Sequence, residues 1–508
     1  ALGTESLCKN TTASANSAFG YRALLKNTTG GNNTAVGKSA LCANTTASAN
    51  TAVGTNALKT TTTGAENTAV GVGALDVNTA SYNTAMGVDA GGSNTSGTGN
   101  VFMGNAAGGA NTTGDDNTAI GKEALTLNTT AHDNTAVGAC ALCKNTTGSQ
   151  LTALGMFSLK SNTTGYQNTA VGYQSSCSNT EGFNNVAMGP YALRTNTTGD
   201  CNVAIGNEAL TNSTTASTNT AVGSYALRAN TTGSSNVSVG DSSLDANTTG
   251  TNNVSVGRSS MGANTTGGDN TSIGQGTLGV NTTGGCNTAM GATALDANTT
   301  GSCNIAIGLN TLGANTTGPN NTAIGAAAMC SNTEGNTNVA VGRLAAKAVT
   351  TGDNNVAIGN EAMSDLTTGN NNVSIGVASG ADAMVNFTGG QSNRLAVGNN
   401  STGTAYVKVA WTVTSDARDK MNFESVPHGL DFVNQLQPYK FNFKKSREVE
   451  APHGNAKYGF KAQDILALEG DNPIIIDNEN EEALKYNGEA LVPVLVNAIK
   501  ELKAEIEL

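Results

Sequence analysis

The stretch Asn33–Gly54, NTAVGKSALCANTTASANTAVG, holds one full period of the pattern that decides the fold. It opens with Asn-Thr-Ala-Val-Gly, and the same five residue types return 17 residues later. The last glycine of this motif recurs from Gly3 to Gly376, at 23 positions separated by 22 intervals. Every interval is 17 residues except one of 16, between Gly71 and Gly87. This regularity predicts an array of stacked structural units.

Each repeat carries two short apolar patches separated by glycine and asparagine. Val, Ile or Met precedes the glycine, Leu or Met follows four residues after it, and Asn-Thr-Thr-Gly comes next, as in Asn196–Gly199. This order favours two short strands per coil, where a coil is one 17-residue turn. The prediction is a mostly β protein, a β-roll or β-solenoid with like residues stacked in ladders. The missing residue of the short coil falls in the turn Asn78–Tyr82, where a deletion is tolerated best.

The expected core of each coil is thin, with one Val-type and one Leu-type side chain plus alanines. Burial of apolar surface stabilises a fold by ~25 cal/mol per Å², so this small area contributes little to the stability of a coil. We therefore expect partner chains, with a homotrimer as the usual solution in fibres. At ~4.8 Å per coil the rod would be roughly 105 Å long.

Composition excludes several classes of protein. Only 12% of the 508 residues are charged and the net charge is −11, which argues against a nucleic-acid partner. The sequence contains no run of 18 apolar residues that would predict a membrane span, and its first residues lead us to expect no signal peptide. Because the chain starts inside a repeat, we expect an attachment region upstream of Ala1.

The last 94 residues differ from the array. They contain 17 acidic and 11 basic residues and five of the seven prolines, whereas 58 of the 63 glycines precede them. We therefore predict a repeat shaft over residues 1–376, an irregular transition and linker strand over 377–414, and a separate α+β domain over 415–508. The stretch Val377–Thr404, where the period breaks, is a candidate for a distal tip or a transition.

Several motifs in the array are weak. Gly37-Lys38-Ser39 lacks the earlier glycine of a phosphate loop, because Asn32 stands there. Cys140 and Cys143 form a lone Cys-x-x-Cys without a second pair, so neither a metal nor a cofactor is predicted. The odd count of nine cysteines favours free thiols, with Cys286–Cys303 as the best disulfide candidate. The Asn-x-Thr triplets are interpreted as turns.

The tail contains conventional elements. Residues 405–411 alternate like a strand, residues 429–439 predict a short helix ended by Pro438, and Lys440–Lys444 predict a strand. A final helix is expected from about Gly488 to Leu508. Its apolar positions fit a coiled-coil seam: Leu491, Leu495, Ala498, Leu502 and Ile506.

Two resemblances follow from these residues. The array, from Ala1 to about Gly376, resembles the head repeats of trimeric autotransporter adhesins and arrays in bacteriophage tail fibres, which implies a left-handed parallel β-roll. The tail resembles the intramolecular chaperone domain of phage tailspikes and tail fibres, an auto-processing module also found in myelin regulatory factor. The matching features are Ser415-Asp416-x-Arg418-x-Lys420, Leu436-x-Pro438, Gly459-Phe460-x-Ala462-Gln463-Asp464 and Leu491–Leu502. Lys461 departs from the family pattern, which more often has an apolar residue there.

The second resemblance implies a domain that trimerises, directs assembly of the fibre and then cuts itself off between Thr414 and Ser415. It makes Ser415 the nucleophile and Lys420 the general base, with Asp416 and Arg418 as supporting ion-pair or turn residues. The chemistry is coherent, because a serine hydroxyl needs an adjacent base and a lysine can serve when burial lowers its pKa. Attack on the preceding carbonyl is an N-to-O acyl shift, followed by ester hydrolysis.

Other interpretations of these residues stay open. Ser415 and Asp416 are also common helix N-caps, and Lys420 could be a surface charge. A Ser-His mechanism would need His428 or His453.

The sequence therefore favours a trimeric fibre of a phage or virus, made in the host cytoplasm and carried on the virion. Such a fibre would bind a host cell-surface receptor, with a glycan as the leading candidate. The alternatives are a bacterial surface adhesin with the same array and a fibre whose tail only trimerises. A glycan-cleaving enzyme would need a pair of carboxylates in a cleft, which the nearly uncharged array does not offer.

Overall fold

The chain divides into two compact units, Ala1–Asn354 and Asn355–Leu508. The computed structural model describes residues 1–382, 385–399, 401–402, 408, 415–447, 449–479, 481 and 484–507. In the first unit each coil has one three-residue strand that ends just before the repeated glycine. These strands, β1 to β20, are Ser17–Phe19, Thr34–Val36, Thr51–Val53, Thr68–Val70, Thr84–Met86, Val101–Met103, Thr118–Ile120, Thr135–Val137, Thr152–Leu154, Thr169–Val171, Val186–Met188, Val203–Ile205, Thr220–Val222, Val237–Val239, Val254–Val256, Thr271–Ile273, Thr288–Met290, Ile305–Ile307, Thr322–Ile324 and Val339–Val341.

Successive strands pair in parallel and in register, so equivalent residues stack. Ala35 pairs with Ala52, for example, and Ala52 with Ala69. The short coil keeps this register, since Thr68 pairs with Thr84 after only 16 residues. The predicted β-solenoid with its residue ladders is confirmed.

The prediction of two strands per coil is wrong. The second apolar patch is a series of tight turns, because Ser39 and Leu41 both have positive φ, 60° and 50°, which an extended strand excludes. These turns still bond from coil to coil: the N–H of Leu41 donates to the carbonyl of Ala57 at 3.0 Å. The coils are therefore linked by backbone hydrogen bonds on the turn side as well as the strand side.

The prediction of a Val-type residue in the core is also wrong, while the Leu-type residue is confirmed there. Strand side chains alternate between faces, so Ala35 points inward and Val36 lies on the surface, 37% exposed. Leu41 is fully buried. In most coils the rest of the interior is filled by two asparagines, such as Asn44 and Asn50, which are completely buried. Thr61, Leu151 and Ser213 each replace one of them in other coils.

These asparagines form two ladders that satisfy buried backbone groups. In the first ladder, the side-chain oxygen of Asn50 accepts the backbone N–H of Asn67 at 2.9 Å. In the second, Nδ2 of Asn44 donates to Oδ1 of Asn27 at 2.7 Å and to the carbonyl of Ala47 at 3.0 Å. The sequence interpretation of asparagine as a turn residue missed this buried role. In the short coil the equivalent bond from Asn78 reaches a carbonyl two residues away instead of three, which confirms where the deletion lies.

The repeated glycine turns the corner after each strand. Gly54 has φ of +140°, and a Cβ there would lie 2.3 Å from the carbonyl oxygen of Gly71 in the next coil. Only glycine avoids both the strain and the contact. The glycine therefore recurs once per coil because every coil turns at this corner.

The second unit begins with coils of the same kind. Strands β21 (Val356–Ile358) and β22 (Val373–Ile375) are parallel neighbours. A short hairpin of β23 (Ala381–Asp382) and β24 (Val385–Asn386) follows, and β25 (Leu395–Val397) then pairs in parallel with β22. One further coil thus lies beyond Gly376, and the hairpin accounts for its extra length. Apart from Lys408, the predicted strand over residues 405–411 lies outside the described residues.

The C-terminal part of this unit is a small α+β fold, as predicted. Its elements are α1 (Leu430–Gln435), β26 (Tyr439–Ser446), β27 (Val449–Gly459), α2 (Ala462–Glu469), β28 (Ile476–Asp477), β29 (Lys485–Tyr486) and α3 (Gly488–Ile506). The antiparallel pairs are β26–β27 and β28–β29. Its core combines Phe432, Ile465, Ile475, Ile476, Leu491 and Val494. The helix before Pro438, the strand at Lys440–Lys444 and the final helix are confirmed.

The predicted seam of α3 is divided between interior and surface. Leu491 and Ala498 are buried, whereas Leu495, Leu502 and Ile506 are 38%, 45% and 77% exposed. Within one chain the helix therefore buries only the face that packs on α1 and the core, and a second apolar face stays uncovered.

Among the described residues, no helix is both long and apolar enough to cross a bilayer.

Candidate functional site

The candidate site is a short 3₁₀ turn, Ala417–Asp419, at the start of the described C-terminal domain. Ser415 and Asp416 precede this turn and Lys420 ends it, with the Lys420 N–H donating to the carbonyl of Ala417 at 3.3 Å. The turn shortens the distance between Ser415 and Lys420. Residues five positions apart in sequence can therefore face each other.

Asp416 and Arg418 hold this turn together. Oδ1 of Asp416 accepts the backbone N–H of Arg418 at 2.9 Å, which caps the turn, and also its Nε at 3.0 Å. The guanidinium of Arg418 lowers the pKa of the Asp416 carboxyl below its usual value. Asp416 therefore acts as an N-cap, and its role in the site is structural.

The central contact of the site is between Lys420 and Ser415. Nζ of Lys420 donates to Oγ of Ser415 at 2.6 Å, within the reach that a nucleophile and its base require. Both residues are exposed in the single chain. The turn thus brings the two residues of the expected dyad together without burying them.

Two other residues of the sequence analysis are placed differently. The ring of His428 stacks on Phe432 with ring centroids 4.3 Å apart, and its described contacts lie with α1 and α3 rather than with Ser415. The side chain of His453 and all of Thr414 lie outside the described residues, so the scissile bond and the second histidine stay predictions.

Two glutamates that the sequence analysis did not single out position the domain's elements. Glu469, at the end of α2, accepts backbone N–H groups from Ile474, Ile475 and Ile476 at 2.8, 2.6 and 2.9 Å. Glu501 on α3 accepts the N–H of Leu430 at 2.6 Å and so caps α1 from 71 residues away. A carboxylate that caps a distant element leaves no local sequence signal, which is why these residues were not predicted.

The candidates within the array carry no assembled site. All nine cysteines are free thiols, including Cys286 and Cys303, which are both exposed. Burial, assisted by Cys143, raises the pKa of Cys140 to about 11, which disfavours the thiolate that a metal or a nucleophilic reaction needs. The described residues contain no group of three or more His, Cys, Asp or Glu side chains able to hold a metal ion.

Comparison with known proteins adds one finding. Residues 415–471 match the model of the peptidase S74 family, described as the chaperone of endosialidase. The matched segment begins at Ser415 and covers the 3₁₀ turn, α1, the β26–β27 hairpin and α2. A search of curated proteins found no match to this chain.

Proposed function

We propose that a chain whose C-terminal segment is similar to the chaperone of endosialidase, and whose remainder is a parallel β-solenoid, is a trimeric fibre that processes itself. In this proposal the C-terminal domain drives assembly of three chains and then cleaves the bond between Thr414 and Ser415. The observation that carries the catalytic part is the 2.6 Å contact between Lys420 and Ser415.

The reaction proceeds in two steps. Nζ of Lys420 accepts the hydroxyl proton as Oγ of Ser415 attacks the carbonyl carbon of Thr414. The C–N bond then breaks, the proton passes to the new amine of Ser415, and an ester links Thr414 to Oγ. Water hydrolyses this ester, which leaves a carboxylate on Thr414 and restores the serine hydroxyl. This is the Ser-Lys form of nucleophilic catalysis.

Exposure of the dyad connects cleavage to assembly. The base must be a neutral amine, and burial of an ammonium group lowers its pKa. In the single chain Ser415 and Lys420 are both exposed, so another protomer must supply the cover. Cleavage then occurs only after the chains have come together. A monomeric C-terminal domain that cleaves at full rate would contradict this coupling.

An apolar stripe on the solenoid supports a homotrimer. The stripe is the last residue of each strand, and in the first unit twelve of its members are between 37% and 49% exposed: Phe19, Val36, Met86, Ile120, Leu154, Met188, Ile205, Val239, Ile273, Met290, Ile307 and Ile324. Exposed apolar surfaces of this extent mark interaction sites. Identical chains aligned side by side would bury the whole stripe.

The final helix supports the same assembly. The uncovered face of α3 includes Val492, Val496, Ile499 and Leu502, which are 55%, 47%, 66% and 45% exposed. Apolar residues at this spacing pack well against identical helices. Three copies of α3 would bring the chains into a common register before the long solenoid closes.

A fibre of this construction fits a phage or virus particle. An early register-setting step matters because a repeated strand pattern can slip by a whole coil. We infer that the mature fibre is carried on a virion after synthesis in the host cytoplasm, and that its shaft binds a host surface receptor. A bacterial surface adhesin is the second candidate, because its head repeats resemble the same array.

The decisive experiment is the denatured mass of freshly expressed chain beside Ser415→Ala. The proposal requires a fragment of 94 residues beginning at Ser415 in the parent protein and only intact chain in the variant. Ser401→Ala is the matched control and should cleave normally. If both parent and variant stay intact although trimers form, the C-terminal domain is a trimerisation device without peptidase activity.

A further inference from the structure

One region of the solenoid departs from the regular surface. Phe157, Tyr173 and Tyr191 lie on three successive coils just after the repeated glycine, and we call them the aromatic ladder. The Phe157 and Tyr173 ring centroids are 6.4 Å apart, and those of Tyr173 and Tyr191 are 5.4 Å apart. Nε2 of Gln174 donates to the hydroxyl of Tyr173 at 2.9 Å and fixes its orientation. The ladder is a preorganised apolar surface running along the fibre axis.

The solenoid itself does not require these aromatic residues. Phe157 and Tyr191 have φ of 63° and 59°, a conformation that bulky side chains rarely adopt. The same position in other coils is occupied by residues such as Ser39, Asn56 and Gly73. Strained residues that the fold does not need often serve a function.

Three cations surround the ladder. Nζ of Lys160 lies 4.9 Å from the ring centroid of Phe157, and Cζ of Arg194 lies 5.5 Å from that of Tyr191. Lys144 lies one coil before Lys160, with its backbone N–H donating to the carbonyl of Lys160 at 3.2 Å, and we call these three residues the cation cluster. All three also oppose the rise in the pKa of the Cys177 thiol that burial causes.

Acidic residues are scarce around this cluster. The sequence has no Asp or Glu between Asp133 and Glu181, a stretch that contains Lys144 and Lys160, whereas Glu181 and Glu208 lie in the coils on either side of Arg194. Among the residues that the structure describes, none of the three cations is ion-paired with a carboxylate. The cluster is therefore a positive surface on a chain whose net charge is −11.

We propose that the aromatic ladder and the cation cluster form a binding site for an acidic polysaccharide. The faces of sugar rings would pack on the exposed parts of the aromatic rings, while acidic groups of the polymer pair with Lys144, Lys160 and Arg194. Coils rise by ~4.8 Å, close to the advance of one sugar in an extended chain, so successive sugars meet equivalent coils. This deepens the proposed function by naming the receptor class and its site.

Two other occupants fit less well. A second copy of this chain would bring identical cation clusters together, and like charges repel. Single-stranded nucleic acid stacks bases on aromatic rings, but it carries a phosphate on every nucleotide and would meet the overall negative charge of the chain. An acidic glycan with more widely spaced charges needs only the local cluster.

A similar pair two coils further on supplies the control. Cζ of Arg228 lies 5.0 Å from the ring centroid of Tyr225. However, Arg228 also forms an ion pair with Asp245, in which Nε of the arginine and Oδ1 of the aspartate are 3.0 Å apart. The same ring–cation geometry is thus present without a free positive charge. Tyr225 and Arg228 variants test whether any aromatic–cation pair would suffice.

The test is calorimetric binding of polygalacturonate oligosaccharides to the full chain in its assembled form. We expect binding that weakens with added salt, and roughly tenfold weaker affinity, or about 1.4 kcal/mol, for Tyr173→Ala and for Lys160→Gln with Arg194→Gln. Tyr225→Ala and Arg228→Gln should bind like the parent. Neutral dextran should not bind, and dextran sulfate shows whether sulfate can replace carboxylate.

Several results would overturn the inference. These are failure of both acidic glycans to bind, an equal loss in the control variants, or tighter binding of poly(dT) than of either glycan. Because Lys160 and Arg194 are surface residues, a charge variant that stays folded keeps the test valid even if Tyr173→Ala does not fold. The mass and size of the same samples report processing and assembly separately, so failure of the glycan site is distinguishable from failure of the proposed fibre.

Discussion

The side-chain oxygen of Asn253 accepts the backbone N–H of Asn270 at 3.1 Å, one coil further along the shaft. Nδ2 of Asn253 donates to the carbonyl of Gly267 at 2.9 Å, and the side chain is completely buried. One asparagine thus satisfies a donor and an acceptor of the next coil. The interior of the solenoid depends on such polar bonds as much as on its alanines and leucines.

Replacing this asparagine should loosen the coils on both sides of it. Asn253→Leu keeps the branching and the number of heavy atoms but leaves a buried N–H and a buried carbonyl without partners, which costs about 1–3 kcal/mol for each group. We expect faster amide hydrogen exchange in coils around residue 253. Thr251→Ala, on the exposed side of the same turn, is the control, and equal effects from both variants would contradict the buried role.

Substitution of a corner glycine should destabilise the shaft more than substitution of other glycines. Gly240 has φ of +133°, and a Cβ there would lie 2.6 Å from the carbonyl oxygen of Gly257. Gly240→Ala should therefore lose at least about 2 kcal/mol of local stability, measured by thermal unfolding. At Gly262 a Cβ would have its nearest neighbour at an ordinary 3.4 Å, so Gly262→Ala should change little. A similar melting temperature for both variants would count against the corner model.

The apolar stripe predicts a variant that separates assembly from folding. Ile307 is 37% exposed on the stripe, whereas Ala306 beside it is buried in the core. Ile307→Asp should leave the coil intact but place three charges in the proposed trimer interface, so we expect smaller particles by light scattering. Asn320→Asp adds the same charge at an exposed turn position and should stay trimeric. Trimers of normal stability with Ile307→Asp would show that the stripe is not the interface.

The proposed dyad predicts that Lys420 acts as the general base. Lys420→Met removes the base but keeps the length of the side chain, and general-base catalysis is worth roughly 10²–10⁴-fold in rate. We expect release of the C-terminal fragment to slow by about this factor while trimers still form. Lys440→Met, another exposed lysine of the domain, should cleave normally, and a normal rate for Lys420→Met would exclude the dyad.

Burial gives Asp76 a predictable effect on stability. Its desolvation raises the pKa of the carboxyl above 3.8, partly offset by Lys59, and its Oδ1 has no hydrogen-bond partner. A raised folded pKa means that the folded chain holds the proton more tightly, so stability falls as pH rises through that value. Asp76→Asn should stabilise the shaft by a few tenths of a kcal/mol at neutral pH. The difference in melting temperature should shrink as pH falls toward 4, and a constant difference would contradict the assignment.

The sequence by itself determined the period, the position of the short coil and the main helices of the tail. These features are local or repeat along the chain: a glycine corner needs the same residue every turn, and α1 and α3 follow from their own apolar spacing and from Pro438. The family resemblance also singled out Ser415 and Lys420, because the motif that contains them is contiguous.

Only the tertiary structure decided which side chains face inward and which distant groups meet. Val36 and Asn50 have the opposite placement from that expected by hydrophobicity, because a narrow coil has room for alanine inside its strand and needs amides to satisfy its buried backbone. The 2.6 Å contact between Lys420 and Ser415 depends on the turn between them, and the cap from Glu501 to Leu430 depends on the packing of α3. Such contacts form only when the chain turns and its distant segments pack together, so a pattern of residues along the sequence does not reveal them.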